Sequence, residues 1–197
     1  METLFAPLGE LEEYDQLIRG IKQGEFPVQL IGCMDTQESH MIYGTGRDKR
    51  IRLVITHNEV RAKELVEDLK LYDHDVMYYP AKDFIFYSAD VHGQAIVKER
   101  LKVIKRLLEK EPLTVVTTLD GGMDYCLPFE RYQENRIHVA EEEILDLEEF
   151  KKNLVAIGYE NTGQVQKEGE FSVRGGIIDV FPLTEECPYR IELWGDE

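Results

Sequence analysis

The chain has 197 residues, a length that accommodates one large domain or two small ones. Its apolar fraction of 43% and charged fraction of 31% are typical of folded globular proteins and exclude a disordered or membrane-embedded chain. A formal net charge of -16 makes the average surface repel phosphate, which disfavours autonomous binding to nucleic acid.

The helical spacing of apolar residues from Glu10 to Gln23 predicts an amphipathic helix that ends before Gly24. The short apolar run from Val28 to Cys33 predicts a buried strand. A second helix is expected around Glu38 to Tyr43.

A strand-turn-helix unit follows. Ile51 to Thr56 predicts a strand, and Asn58 is suited to cap the helix after it. Val76 to Tyr79 predicts another strand, and residues 82–93 predict a loop rich in aromatic side chains.

The segment from Ala95 to Lys110 has the apolar spacing of a helix, and Leu113 to Thr118 has the β-branched composition of a strand. Strands that alternate with helices predict a parallel α/β sheet for this part of the chain. A turn is expected at Gly121-Gly122.

The pattern changes at about Asn135. Arg136 to Ala140 predicts a strand, and a helix with one apolar face, from Leu147 to Ile157, is expected to end at Gly158. Short strands with turns at 168–169, 175–176 and 184–186 follow, which predicts an α+β unit with antiparallel hairpins. We therefore predict two domains, residues 1–134 and 135–197.

The stretch of residues 32–39 follows the start of the strand predicted from Val28 and has the length of a nucleotide-binding P-loop, G-x-x-x-x-G-K-[ST]. Only its first residue, Gly32, and its last, Ser39, agree with that pattern. Gln37 replaces the glycine that lets the backbone curl around phosphate, and Glu38 replaces the lysine that attracts it. At an effective dielectric near 20, an acid about 4 Å from a phosphate charge replaces an attraction of about 4 kcal/mol by a repulsion of that size. We expect no nucleotide cofactor.

Two cationic stretches are candidates for binding anions or DNA. Gly44-Thr45-Gly46 precedes the cations Arg47, Lys49 and Arg50, and the helix from Ala95 carries basic residues between Lys98 and Arg106. Neither has a spacing specific to phosphate, so a surface turn and a solvated helix face are expected.

The remaining composition indicates neither a metal site nor a membrane protein. Cys33, Cys126 and Cys187 are odd in number and far apart, and the histidines lack the spacing of metal ligands. The first residues do not have the pattern of a signal peptide, and no later stretch is long enough to span a bilayer. We expect a cytoplasmic protein without membrane contacts.

Two stretches resemble one known family. The first runs from Tyr79-Pro80-Ala81-Lys82-Asp83 through Tyr87 to the helix with Arg100-Leu101. The second and more specific is Gly169-Glu-Phe-Ser-Val-Arg-Gly-Gly-Ile-Ile-Asp-Val-Phe-Pro182, followed by Tyr189-Arg-Ile-Glu-Leu-Trp-Gly-Asp-Glu197. Together they make the chain similar to the amino-terminal region of the transcription-repair coupling factor (Mfd) family, which in turn resembles the damage-verification protein UvrB.

This resemblance implies a degenerate helicase-like parallel α/β domain that has lost its ATP site, followed by a smaller α+β domain that recruits the repair protein UvrA. By motif, the family's contacts with UvrA correspond to Arg174, Arg190 and Trp194, with a phenylalanine at the last position in some members. The implied function is a non-catalytic binding module of transcription-coupled nucleotide excision repair. RNA polymerase and DNA are then bound only through other parts of the full-length protein, an ATP-dependent translocase.

The residue types agree with a binding role. Arginine and tryptophan are the side chains most enriched at interface hot spots. Arg190 and Trp194 are four residues apart on a predicted strand, so they are expected on one face, with the alternate residues from Tyr189 to Leu193 in the core. Arg174 adjoins the turn into the neighbouring strand, so the three are expected to form one patch.

Three other functions can be considered from the residues. Asp179, Glu192 and Asp196 invite a paired-carboxylate mechanism, but no nucleophile or metal ligand accompanies them, so surface charges or salt-bridge partners are expected and no catalytic residue is assigned. A UvrB-like ATP-dependent helicase fragment would show nucleotide affinity. A DNA-binding module acting through the helix from Lys98 to Arg106 would bind duplex DNA in a salt-sensitive way.

Overall fold

The computed structural model describes residues 6–46, 51–82, 90–141 and 143–194, without the side chains of 90–94. Arg47, Lys49, Arg50, the stretch from Asp83 to Tyr87, and Asp196 lie outside the described residues. The polypeptide divides into two compact units, residues 1–124 and 125–197, called here the first and second units. The domain boundary predicted at residue 134 lies ten residues after this division.

The first unit contains a three-stranded parallel sheet with strand order β1-β3-β2. Its strands are β1 (Arg52–Thr56), β2 (Val76–Tyr79) and β3 (Thr114–Thr118). Its helices are α1 (Ala6–Gly9), α2 (Glu12–Gln23), α3 (Asp35–Thr45), α4 (Glu59–Lys70), α5 (Asp90–Leu108) and α6 (Leu119–Met123). The predicted parallel α/β architecture is confirmed.

The central strand β3 is buried along its whole length because helices cover both of its faces. Val116 belongs to a core cluster with Leu65 and Leu69 of α4, whereas Val115 packs with Val103 of α5. Neighbouring residues of a strand point to opposite faces, so α4 and α5 lie on opposite sides of the sheet.

The start of α4 follows the predicted capping rule. The Asn58 side-chain oxygen accepts a hydrogen bond from the Arg61 backbone N–H at 2.8 Å. This bond satisfies one of the N–H groups that a helix leaves open in its first turn. At the end of α2, Gly24 adopts φ 76°, the left-handed conformation that favours glycine. Both predicted helix boundaries are confirmed.

The strand predicted for Val28 to Cys33 is wrong. Residues 25–34 have no regular structure and are exposed, with Ile31 85% exposed. A strand needs a neighbour for its backbone hydrogen bonds, and no described strand pairs with this run. An apolar run supplies the side chains of a strand but does not supply that neighbour.

Three further boundaries differ from the sequence prediction. The helix α5 begins at Asp90, so residues 90–93 are helical, whereas a loop was predicted there. The two glycines expected to form a turn lie within α6. The strand predicted for Arg136 to Ala140 is wrong, because this run pairs with no described strand and has no regular structure.

The second unit packs one helix against a four-stranded sheet with strand order β4-β5-β6-β7. Its elements are α7 (Phe129–Glu134), α8 (Leu147–Ala156), β4 (Glu160–Asn161), β5 (Glu170–Arg174), β6 (Ile177–Val180) and β7 (Tyr189–Glu192). The β4/β5 pair is parallel, and the pairs β5/β6 and β6/β7 are antiparallel. The predicted α+β unit with antiparallel hairpins is confirmed.

The core of the second unit lies between α8 and one face of the sheet. Phe150 and Leu154 of α8 pack with Phe171, Ile178 and Val180 of the sheet. This arrangement confirms the predicted apolar face of the helix, and it leaves the opposite face of the sheet free of α8. None of the described helices combines the length and apolarity that crossing a membrane requires.

Candidate functional site

The face of the second sheet turned away from the core carries the predicted site residues. Asp179 on β6 is paired with Arg190 on β7, and Ile177 is paired with Arg174 on β5 and with Glu192 on β7. Paired residues of neighbouring strands project to the same side of a sheet. We call this set, together with Trp194, the outer face.

Asp179 joins the two predicted arginines. Its Oδ1 accepts from Arg190 Nε at 2.7 Å, and its Oδ2 accepts from Arg190 Nη2 at 3.0 Å and from Arg174 Nη2 at 3.1 Å. The Arg190 contact is therefore a bidentate charge-assisted pair, the geometry that favours guanidinium over ammonium. The structure brings Arg174 and Arg190 together as the sequence predicts, and Asp179 is a salt-bridge partner, as expected.

Burial differs sharply within this trio. The arginine side chains are 58% exposed for Arg174 and 55% for Arg190, whereas that of Asp179 is 14% exposed. The hydrogen bond from Arg190, and after it that from Arg174, lowers the pKa of Asp179 below its usual range. The same contact raises the pKa of Arg190. Asp179 therefore stays ionised between the two cations at neutral pH.

Trp194 lies at the exposed end of this face. The Leu193 backbone N–H donates to the Gly176 carbonyl oxygen at 2.8 Å, so the pairing of β6 and β7 continues one residue beyond β7. Strand alternation then places Trp194 on the side of Arg190, and its side chain is 81% exposed. An exposed tryptophan on the same face as two arginines has the composition of an interface hot spot.

The core side of β7 matches the prediction in two of three positions. Ile191 and Leu193 pack against the core cluster. Tyr189 is more than half exposed, and its hydroxyl donates to Glu185 Oε2 at 3.2 Å, so the core position predicted for it is wrong. Tyr189 starts an edge strand, where its hydroxyl reaches water and an acid instead of an apolar core.

A loop covers the other end of the outer face. Glu170 and Ser172 of β5 are buried although they project away from α8. The Glu170 carboxylate accepts from the backbone N–H groups of Gln166 and Lys167, and the Ser172 hydroxyl donates to the Gly163 carbonyl oxygen. The bond from Gln166 is the main cause of the lowered pKa of Glu170. The exposed part of the face thus begins at Arg174.

Sequence reasoning missed two members of the outer face as contributors to the site. Ile177 is an apolar side chain, 37% exposed, that faces Arg174 on one neighbouring strand and Glu192 on the other. Asp179 is expected from the sequence as a surface charge or a salt-bridge partner, but not as a member of the binding site. The turn at Gly175-Gly176 fixes how β5 pairs with β6, so the hairpin alone is a signal for the proximity of Arg174 and Asp179.

The stretch with P-loop spacing has a different geometry from a phosphate cradle. Gln37 Oε1 accepts from the Met34 backbone N–H at 3.2 Å at the start of α3. Glu38 Oε2 accepts from Arg61 Nη2 at 2.6 Å, and this hydrogen bond is the main cause of the raised pKa of Arg61. The buried Ser39 hydroxyl donates to the Thr36 carbonyl oxygen at 3.4 Å. These side chains are used to begin a helix and to anchor α3 to α4.

Two cationic side chains of α5 contact other residues of the first unit. The Arg100 guanidinium is buried over the Tyr79 ring at 4.1 Å, and it contacts Pro80 O at 2.8 Å and Asp124 Oδ2 at 3.2 Å. Arg106 pairs with Asp75 at 2.7 Å. The prediction of a solvated basic face is therefore wrong for Arg100. Across the described ranges, no group of three His, Cys, Asp or Glu residues is arranged to hold a metal ion.

Comparison with known proteins identifies the family. Residues 137–197 match the UvrB interaction domain family. The chain is 30% identical over 200 residues to the transcription-repair-coupling factor of Bacillus subtilis (strain 168), an alignment that covers 100% of this chain and 17% of the relative. It is 33% identical over 153 residues to that of Staphylococcus haemolyticus (strain JCSC1435), covering 77% of this chain and 13% of the relative.

A third relative agrees with these two. The transcription-repair-coupling factor of Staphylococcus aureus (strain USA300) is 33% identical over 147 residues, covering 74% of this chain and 12% of the relative. The chain therefore spans less than a fifth of the length of these curated relatives. It belongs to the transcription-repair-coupling factor family, as a region that carries the UvrB interaction domain.

Proposed function

We propose that this chain is a non-catalytic binding module of transcription-coupled nucleotide excision repair and that it recruits UvrA through the outer face of its second unit. The observation that carries this proposal is that one carboxylate brings Arg174 and Arg190 together on the face to which strand alternation assigns the exposed Trp194. Contacts with RNA polymerase and DNA, and any motor activity, belong in this proposal to other parts of the longer family members. The cytoplasm is the compartment in which such a complex would work.

The physical properties of the outer face support protein binding. Exposed tryptophan supplies a large contact area, and arginine supplies planar hydrogen-bond donors, which makes these two types the most enriched at hot spots. Ile177 adds a partly exposed apolar side chain next to Arg174. Apolar side chains within a polar surround are the usual composition of a specific protein interface.

The alternative of a UvrB-like ATP-dependent helicase fragment has less support. A P-loop uses a lysine and open backbone N–H groups to hold the outer phosphates. Here the acid Glu38 stands at the lysine position and is already paired with Arg61. The apolar run before it is exposed, and none of the described strands pairs with it to hold the stretch at a sheet edge.

Binding to immobilised UvrA tests the proposal. We expect Arg174→Ala, Arg190→Ala and Trp194→Ala each to weaken binding by about 30-fold, the loss typical of hot-spot truncation. Arg131→Ala is a matched control, because Arg131 is an exposed arginine of the same unit that pairs with Glu134 on α7 and is not one of the residues of the outer face. The control is expected to bind like the unmodified chain.

The thermal unfolding midpoint of each variant shows whether the fold is intact. Wild-type affinity in the Arg174→Ala/Arg190→Ala double variant, with unchanged unfolding, would reject this face as the binding site. A rise of the unfolding midpoint with Mg-ATP would favour the helicase alternative.

A further inference from the structure

The outer face carries two cations whose positions depend on one shared acid. Arg174 lies on β5 and Arg190 on β7, and the strand between them, β6, supplies Asp179 to both. Two guanidinium groups without such an acid would repel each other and sample many rotamers, since arginine is among the side chains with the largest rotamer entropy. A largely buried carboxylate between two exposed guanidinium groups restricts both.

The group formed by Arg174, Arg190 and Asp179 retains a positive charge and hydrogen-bond donors that a partner can use. Two cations and one anion leave one unit of positive charge in a chain whose formal net charge is -16. Arg190 gives Nε and Nη2 to Asp179, and Arg174 gives only Nη2. A guanidinium has five N–H donors, so most donors of both groups remain for a ligand with acceptor oxygens.

The neighbouring side chains decide which acceptor fits. Glu192 lies on the same face and is paired with Ile177, and Trp194 adds a large apolar surface. An acid and apolar groups beside the cations disfavour a polyphosphate backbone, which is attracted by cations alone. They suit a protein surface that presents a few carboxylates within apolar contacts.

Building on the proposed function, we infer that Asp179 is a positioning residue that holds Arg174 and Arg190 in the geometry that accepts a carboxylate-bearing surface of the protein partner. Its contribution is to fix both guanidinium groups before binding. Ordering a flexible side chain at an interface costs free energy, so fixing it beforehand strengthens association.

The positioning role predicts a change in binding affinity opposite to the one that simple electrostatics predicts. Removing an acid from a face that binds carboxylates should strengthen binding, because it raises the positive potential. Removing an acid that positions the arginines should weaken it. Glu192→Gln tests the first effect, because no described hydrogen bond or ion pair joins Glu192 to either arginine. Asp179→Asn tests the second, because it keeps the shape of the side chain and loses its charge.

The experiment measures the affinity of the whole chain for UvrA. We expect Asp179→Asn to weaken binding by about tenfold and Glu192→Gln to tighten it. Asp179→Glu, which keeps the carboxylate but shifts it by one methylene, should bind better than Asp179→Asn. In the Arg174→Ala/Arg190→Ala background, Asp179→Asn should cause no further loss, because there is nothing left to position.

Nuclear magnetic resonance of the arginine Nε–H groups supplies a readout that general destabilisation would not move. The Arg190 signal should be shifted by its bond to Asp179 in the unmodified chain and in Glu192→Gln. It should move to the position of a solvated arginine in Asp179→Asn, while the thermal unfolding of each variant confirms that the chain is folded.

The outcomes separate this inference from the proposed function. If the arginine variants weaken binding but Asp179→Asn binds as tightly as the unmodified chain or more tightly, the positioning role is overturned and the proposed function stands. If the double arginine variant binds UvrA normally, the proposed function fails and the inference fails with it. Competition by duplex DNA but not by poly-L-glutamate, through the same two arginines, would overturn the carboxylate specificity.

Discussion

Replacing Gln37 by Gly and Glu38 by Lys restores the glycine and the lysine of the P-loop pattern, yet we expect this double variant not to bind nucleotide. The preceding run from Val28 is exposed and irregular, and the Ser39 hydroxyl is buried against Thr36. A lysine placed at position 38 therefore has no preformed cradle around it. Two side chains alone cannot replace a strand and a loop that hold backbone N–H groups towards phosphate.

The substitution should lower stability without unfolding the chain. The lost contact between Glu38 and Arg61 is an ion pair with side chains 47% and 17% exposed, and such pairs contribute about 0.2–1 kcal/mol. Glycine in the first turn of α3 costs about 1 kcal/mol, and two facing cations add about 1 kcal/mol in water. The sum of about 2–3 kcal/mol is smaller than the stability of a typical domain.

The assay is thermal unfolding and calorimetry of both proteins with and without Mg-ATP, with Gln37→Gly as the control for the backbone effect. We expect a lower midpoint in the double variant and no response to Mg-ATP in any of the three proteins. A ligand at 100 times its Kd would stabilise the folded state by about 2.7 kcal/mol, which the unfolding midpoint would report. A rise of this kind would refute the interpretation of this stretch as a helix start.

Three further predictions concern the two units. Phe171→Ala removes a side chain that is 0% exposed and should lower the free energy of unfolding by about 3–5 kcal/mol in urea titrations; an unchanged urea midpoint would contradict the packing of the second core. Asn58→Ala should cost about 1 kcal/mol by losing the helix cap, and Asn58→Asp should retain most of it, as thermal unfolding would show. The pKa of Asp179 is lower in the folded state, so its contribution to stability is present above the unfolded value of about 3.9 and is lost as the pH falls through the folded pKa. The stability difference between the unmodified chain and Asp179→Asn should therefore shrink below about pH 4, and a difference that grows in acid would contradict this sign.

The sequence predictions that proved correct rest on patterns of residues that are close together in the chain. The apolar face with Phe150 and Leu154 sets the position of α8, and Asn58 sets the start of α4, because both depend on contacts within a few residues. Period-two alternation likewise placed Ile191 and Leu193 on the core side of the sheet. These features need no knowledge of which strands are neighbours.

The errors concern pairing between distant segments. Val28 to Cys33 has the composition of a strand but no partner among the described strands, and composition does not specify partners. The contact between Asp179 and Arg190 depends on how β6 pairs with β7 across residues 181–188, whose length does not fix that register. The contact that makes Asp179 the shared partner of both arginines was therefore visible only in the structure.

Trp194 is the one tryptophan of the chain, so it reports the location of partner binding directly. The measurement is the ¹⁹F resonance of 5-fluorotryptophan incorporated into the whole chain, recorded as UvrA is added. Because this side chain is 81% exposed in the free chain, binding at the outer face should shift and broaden the resonance and reduce its response to replacing H₂O by D₂O. A complex confirmed by light scattering in which this resonance keeps its free position and solvent response would contradict UvrA binding at the outer face.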